Sequence, residues 1–196
     1  MTNLVNFLLY QLGWFACVLG VASGLQWLGI GLALGLVAVH LWLAKDRVIQ
    51  FRLMGIAFLL GLFVDTVLLR TGVFFYPSGQ PVAWLPPPCM PVLWLQFATI
   101  FRYCLHWLKG RFLLSGLFGL IGAPLAFLAG ESFGAIEFPP PSWLHIGILG
   151  VVWSLCVPFL VCLADRLPRG NGSEPGYRGI DPESIPAREA ESSNAG

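Results

Sequence analysis

Residues Leu53–Thr71 read LMGIAFLLGLFVDTVLLRT, a run in which only Asp65 and Arg70 carry charge. A helix crosses the hydrocarbon core of a bilayer with about 20 predominantly apolar residues at ~1.5 Å each. The stretch therefore predicts a transmembrane helix. Asp65, well inside it, is a costly residue there and so a candidate for function. Five further stretches of the same kind flank it, at about 4–23, 28–44, 91–108, 112–130 and 143–163. The expected fold is all-α, an integral membrane bundle of six transmembrane helices.

Composition supports this class. Of 196 residues, 57% are hydrophobic and 11% charged, and the mean hydropathy is +0.76. Soluble domains carry about 25% charged residues, so an ordinary soluble domain and a disordered chain are both excluded. A net charge of +1 leaves no basic surface for a nucleic acid. The charges are unevenly spread. Residues 1–164 hold seven basic side chains and four acids (Asp46, Asp65, Glu131 and Glu137), whereas 165–196 is a Gly/Pro/Ser/Glu-rich segment with ten charges. That segment cannot bury enough apolar surface to offset chain entropy and is expected to be a disordered cytoplasmic tail. No Lys or Arg precedes Lys45, and the first apolar run is long. The first span is accordingly read as a retained helix and not a signal peptide.

Orientation follows from the basic residues. Lys45, Arg47 and Arg52 lie between spans two and three, Lys109 and Arg111 between four and five, and Arg166 and Arg169 after six. Six spans put all three groups on one side, which the positive-inside rule assigns to the cytoplasm, with both termini there. Trp27, Trp42, Trp84, Trp107 and Trp143 fall at expected span ends, where amphipathic rings prefer the headgroup level. The uncharged, aromatic 72–91 loop is expected to lie on the outer leaflet or to fold back over the bundle. A surface hairpin is the simpler reading.

Polar residues inside the spans are the candidates for chemistry. Asp65 in the third span and Arg102 in the fourth fall at similar expected depths. Three readings stay open: a buried Asp65–Arg102 ion pair, a substrate-binding or proton-handling carboxylate, or a carboxyl held neutral by its surroundings. Gln96, Thr99, Tyr103 and His106 recur at helical spacing along the fourth span, and Asn3, Asn6, Tyr10, Gly13 and Cys17 along the first, with Gln11 beside them. Such stripes serve either as helix–helix glue or as the lining of a cavity. At the opposite end Arg70, Glu131 and His145 share one expected shelf, which fits acid–base work or simple contact with headgroups.

Other signals are weaker. The three histidines stand on different spans without metal-ligand spacing, the five cysteines form no CxxC, and no nucleotide or hydrolase fingerprint occurs. No metal and no cofactor is expected. Gly20-x-x-x-Gly24, Gly31-x-x-x-Gly35 and Gly130-x-x-x-Gly134 offer close-approach faces. Pro124 should kink or break the fifth helix near Leu120, and Pro158 acts likewise late in the sixth.

The opening Asn6-Phe-Leu-Leu-Tyr-Gln-Leu-Gly-Trp14 with Cys17, Asp65 in its Gly/Leu-rich span, and Gly119-Leu-Ile-Gly-Ala-Pro124-Leu-Ala-Phe-Leu-Ala-Gly-Glu131 resemble the family catalogued as domain of unknown function 2878. The resemblance covers about residues 3–163. It implies a bacterial inner-membrane protein and an association with fatty-acid-modifying methyltransferases of the cyclopropane-synthase type and flavin oxidoreductases. It brings no established activity and no catalytic residues. Where this chain has Arg102-Tyr103 the family usually has a small polar pair, which counts against Arg102 as a family-wide catalytic group.

Three functions remain in view. The first is an accessory protein of envelope or membrane-lipid metabolism, with an interior lined by Asp65, Arg102, Gln96, Asn6, Gln11 and Tyr103. The second is a small-solute or proton-coupled transporter using Asp65. The third is a lipid-acting membrane enzyme using Glu131, His145 and Asp65. The expected partners are membrane lipids, with other membrane proteins or a second copy meeting the GxxxG faces.

Overall fold

The computed structural model describes residues 2–167. Six α-helices follow one another: α1 Asn3–Ala22, α2 Gln26–Leu43, α3 Arg47–Arg70, α4 Cys89–Ile100, α5 Phe112–Ser132 and α6 Ser142–Arg166. No β-strand is formed among the described residues beyond one isolated bridge. All helices but α4 are long and apolar enough to cross a membrane. Their outward faces carry Leu, Phe and Val in numbers that water would not tolerate but lipid does, among them Leu59, Phe63, Leu113 and Leu155. The protein is therefore membrane-embedded.

The helices pair as successive hairpins, α1 with α2, α3 with α4 and α5 with α6. The short α4 sits at the centre against α1, α2 and α3, with every residue buried except Leu93 and Leu95. Expected boundaries fail most clearly here. The fourth span was expected to reach residue 108, yet α4 ends at Ile100. Its 12 residues cover about 18 Å, well short of the bilayer core. The chain then runs through turns at Phe101–Leu105 and a single 3-10 turn at His106–Leu108. α3 begins at Arg47, six residues before its apolar stretch, because a helix can continue into the headgroup region where Arg47, Gln50 and Arg52 are tolerated. α6 likewise continues through Asp165 and Arg166, which belong to the helix and not to a tail. The rest of the expected tail, 168–196, lies outside the described residues.

The prolines do not break their helices: α5 and α6 run on through Pro124 and Pro158. A proline leaves the carbonyl four residues earlier without its N–H partner. Those carbonyls are Leu120 in α5 and Ser154 in α6, and each faces a glycine of the other helix. A methyl group added at Gly150 would lie 2.8 Å from the Leu120 oxygen, and one at Gly116 would lie 3.3 Å from the Ser154 oxygen. The hairpin thus sets a glycine, with no side chain to intervene, over each orphaned carbonyl, which is how small residues let helices approach closely. Gly20 and Gly29 bring α1 and α2 together in the same manner, whereas a methyl at Gly31 or Gly35 would touch nothing in the described chain.

At the end of the bundle away from Lys45, the 72–88 segment folds into the helices. Phe74 is fully buried and Tyr76 nearly so, with their rings 5.4 Å apart and Phe74 also 5.4 Å from Phe127. Phe75 and Glu137 exchange two backbone hydrogen bonds of 2.9 Å, which ties this segment to the α5–α6 loop. Part of the segment is therefore core, and Trp84 stays exposed.

Candidate functional site

The interruption of α4 creates the site. Backbone without helical hydrogen bonds is tolerated at membrane depth only where protein surrounds it or where it borders a polar cavity. Both conditions hold here. The Asn6 carboxamide, fully buried on α1, spans the interruption: its Nδ2 donates to the Thr99 carbonyl at 3.2 Å and its Oδ1 accepts from the Cys104 amide at 3.4 Å. These two bonds orient the amide, so Nδ2 also donates to His40 Nδ1 at 3.3 Å and the His40 ring carries its proton on Nε2. The His40 ring in turn meets Tyr103 edge-on at 5.4 Å, and the Gln50 side chain lies beside it. Lower on α4, Gln96 Nε2 donates to the Ala33 carbonyl at 3.1 Å, and the Gln96 amide rests on Gly13, where a Cβ would collide with it.

Beyond the interruption opens a cavity of about 610 Å³, lined by Lys45, Asp46, Arg102, Tyr103, His106, Lys109 and Asp165, with Phe101, Val161, Ala164 and Leu167 as an apolar wall. Its volume is typical of small-molecule sites. Three elements converge on it. Asp46 precedes α3, Asp165 belongs to the last turn of α6, and Arg102 joins the two. Arg102 Nη1 donates to the Ala164 carbonyl at 2.8 Å, and its Nη2 lies 3.4 Å from Asp46 Oδ2. A guanidinium at the carbonyl end of a helix is favourable on both hydrogen-bond and dipole grounds. Lys109 forms an ion pair with Asp165. Lys45 has no carboxylate partner among the described residues, so three cations face two carboxylates around the cavity.

Of the three readings open for Asp65, the ion pair with Arg102 does not form. Asp65 Oδ2 accepts from Trp94 Nε1 at 2.9 Å. Arg102 stands eight residues beyond Trp94, about 12 Å further along the chain at helical rise, and turns to α6. Asp65 and Arg102 were expected at depths only a few residues apart, within reach of one another. In fact Asp65 lies five residues from the end of α3, and Trp94 five from the start of α4, so the indole and the carboxylate share a level. Gly61, one turn before Asp65, makes room for the Trp94 ring, which occupies the position of the missing Cβ.

Nor are Glu131, His145 and Asp65 joined. Glu131 Oε1 accepts from the Phe138 amide at 3.0 Å, and His145 Nδ1 is 3.0 Å from the Pro139 carbonyl, so both side chains hold the loop before α6. Arg70 is exposed, and Gln11 is half-buried with no side-chain hydrogen bond among the described residues. No group of three or more metal-ligating side chains occurs among the described residues. Sequence reading passed over three residues of consequence: Trp94, Gly61 and His40. For Trp94 a signal existed, since an indole inside a span needs a partner for its N–H. His40 carried one too, as a polar ring inside an apolar run, but only the packing of α2 against α1 and α4 decides that its partner is Asn6.

These features define a polytopic membrane bundle with an interrupted central helix and a charged cavity at the interruption. The family model described as protein of unknown function DUF2878 matches residues 3–159, and the chain belongs to that family. No curated protein and no solved structure matches it significantly.

Proposed function

We propose that the protein is an accessory component of envelope or membrane-lipid metabolism that receives a phospholipid headgroup in the cavity beyond α4. The observation that carries this reading is the cavity itself. About 610 Å³ of charged space stands where helix ends meet the headgroup zone, walled on one side by apolar residues of α6. The surplus of one cation suits a phosphodiester. Arg102 and Lys45 supply the donors, and Asp46 and Asp165 can accept from a headgroup ammonium. The positive-inside pattern supports placing this end at the cytoplasmic face of a bacterial inner membrane. A reporter fused to the C-terminus should then be silent if it works only in the periplasm.

Binding is testable directly. Native mass spectrometry of the detergent-purified protein should retain phosphatidylglycerol or phosphatidylethanolamine in preference to diacylglycerol. Changing Arg102 and Lys45 together to Gln should abolish the preference. Equal retention of diacylglycerol, or a preference unchanged in the double variant, would refute the reading.

Solute transport through Asp65 has one observation in its favour: a short central helix with unpartnered buried polar atoms on it and on α3, among them Gln96 Oε1, Gln50 Oε1 and Asp65 Oδ1. It requires uptake that disappears in Asp65→Asn at unchanged expression. The enzyme reading gains nothing from the geometry, because the side chains of Glu131 and His145 are engaged by backbone.

A further inference from the structure

The charged cavity also distinguishes one headgroup from another, and the ion pairs around it decide which. Asp46 is taken by Arg102 at 3.4 Å, and Arg102 is held from its other side by the Ala164 carbonyl at 2.8 Å. Asp165 is taken by Lys109. These are the two ion pairs among the described residues, and they use both carboxylates of the lining. Lys45 is left over. It stands on the link between α2 and α3, directly before Asp46, yet the Asp46 carboxylate turns to Arg102. Its ammonium is therefore a cation with no carboxylate to answer it among the described residues, at the wall of a polar space.

A phosphodiester in the cavity takes the Lys45 ammonium and can share the remaining N–H groups of Arg102. What the phosphate carries beyond that is the selective part. Glycerol adds hydroxyls and no charge, and Tyr103 and His106 in the lining bond hydroxyls as donor or acceptor. One negative charge then meets one surplus cation. Ethanolamine instead adds an ammonium of the same sign as Lys45, Arg102 and Lys109. To reach a carboxylate it must share Asp46 with Arg102 or Asp165 with Lys109. A space of about 610 Å³ is about one Debye length across, so the three cations are only partly screened from it. The zwitterionic lipid leaves the surplus charge in place, and the monoanionic lipid cancels it.

We propose that Lys45 makes the cavity selective for a phospholipid with one net negative charge and no headgroup ammonium, such as phosphatidylglycerol, over zwitterionic phosphatidylethanolamine. This selectivity rests on the headgroup reading above and names the lipid class and the residue that chooses it.

The test is a competition on the full-length protein in maltoside micelles at about pH 8, above the ordinary histidine range. Equimolar dioleoyl phosphatidylglycerol, dioleoyl phosphatidylethanolamine and dioleoylglycerol are added, and native mass spectrometry reads the lipids retained. Phosphatidylglycerol should exceed phosphatidylethanolamine by about fivefold, the weight of one unanswered lysine. Lys45→Gln should bring that ratio to within about twofold of unity, while both lipids still exceed dioleoylglycerol through Arg102. Lys45 is exposed, so the change does not threaten the fold. Arg52→Gln removes another exposed cation, one that does not line the cavity, and should leave the ratio unchanged. Glycerophosphoglycerol, the same head without acyl chains, should not displace the lipid at equal concentration, because it leaves the apolar wall of Phe101, Val161 and Leu167 unused. Equal retention of the two phospholipids, a ratio that survives Lys45→Gln, or an equal loss in Arg52→Gln overturns the selectivity. If both phospholipids still exceed dioleoylglycerol in that event, the headgroup reading stands without it. No preference over dioleoylglycerol, or displacement by glycerophosphoglycerol, overturns both.

Discussion

Replacing Asn6 by Leu isolates what holds the interrupted helix in place. Leucine keeps the branching of asparagine at Cγ and leaves no cavity, although its methyl groups are bulkier than the amide atoms and add some overpacking of their own. What disappears is the amide that serves the Thr99 carbonyl at 3.2 Å, the Cys104 amide at 3.4 Å and His40 Nδ1 at 3.3 Å. Asn6 is fully buried, so water cannot replace it without a structural change. A lone buried polar group costs about 1–3 kcal/mol, but these bonds are long and hydrogen bonds within membranes average nearer 0.6 kcal/mol. Three groups at about 0.6–1 kcal/mol each give an expected loss of about 2–3 kcal/mol. Reversible unfolding in mixed SDS–maltoside micelles measures it, and hydrogen exchange at the Cys104 amide should accelerate in parallel. Phe7→Leu, on the outward face of the same helix, is the control and should stay within about 0.5 kcal/mol. If Asn6→Leu also stays within that margin, the carboxamide is not what holds the two sides of the interruption together.

Three other outcomes follow from the packing. Gly61→Ala should displace the Trp94 indole from Asp65, lowering stability by about 1–3 kcal/mol and shifting tryptophan emission; unchanged emission would contradict the contact. Gly150→Ala should cost at least about 2 kcal/mol, because its methyl would lie 2.8 Å from the Leu120 carbonyl and 3.2 Å from Pro124 Cγ. Replacing Pro124 by Ala should not rescue it, since the carbonyl stays where it is. In a double-mutant cycle, Arg102→Gln and Asp46→Asn should couple by less than about 1 kcal/mol, since Asp46 is 42% exposed and the separation is 3.4 Å. Arg102→Gln alone should cost more than Asp46→Asn, because it also strips the donor from the Ala164 carbonyl.

The amino-acid sequence by itself determined the class of this protein. Hydropathy is a sum over neighbouring residues, so membrane-length stretches such as Leu53–Thr71 announce themselves without knowledge of anything they touch. Asn6 and Asp65 also stood out alone, since a polar group in an apolar run must find a partner. Which partner it finds is a different kind of fact. It depends on how far one helix is displaced along its neighbour, and neither helix's composition contains that distance. The pairing of the last turns of α3 with the first turns of α4 placed Asp65 beside Trp94, and the early end of α4 sent Arg102 to Asp46 and the end of α6. The same early end opened the charged cavity. Only the tertiary structure decided these pairings, because close packing selects one axial offset from several that hydropathy alone permits.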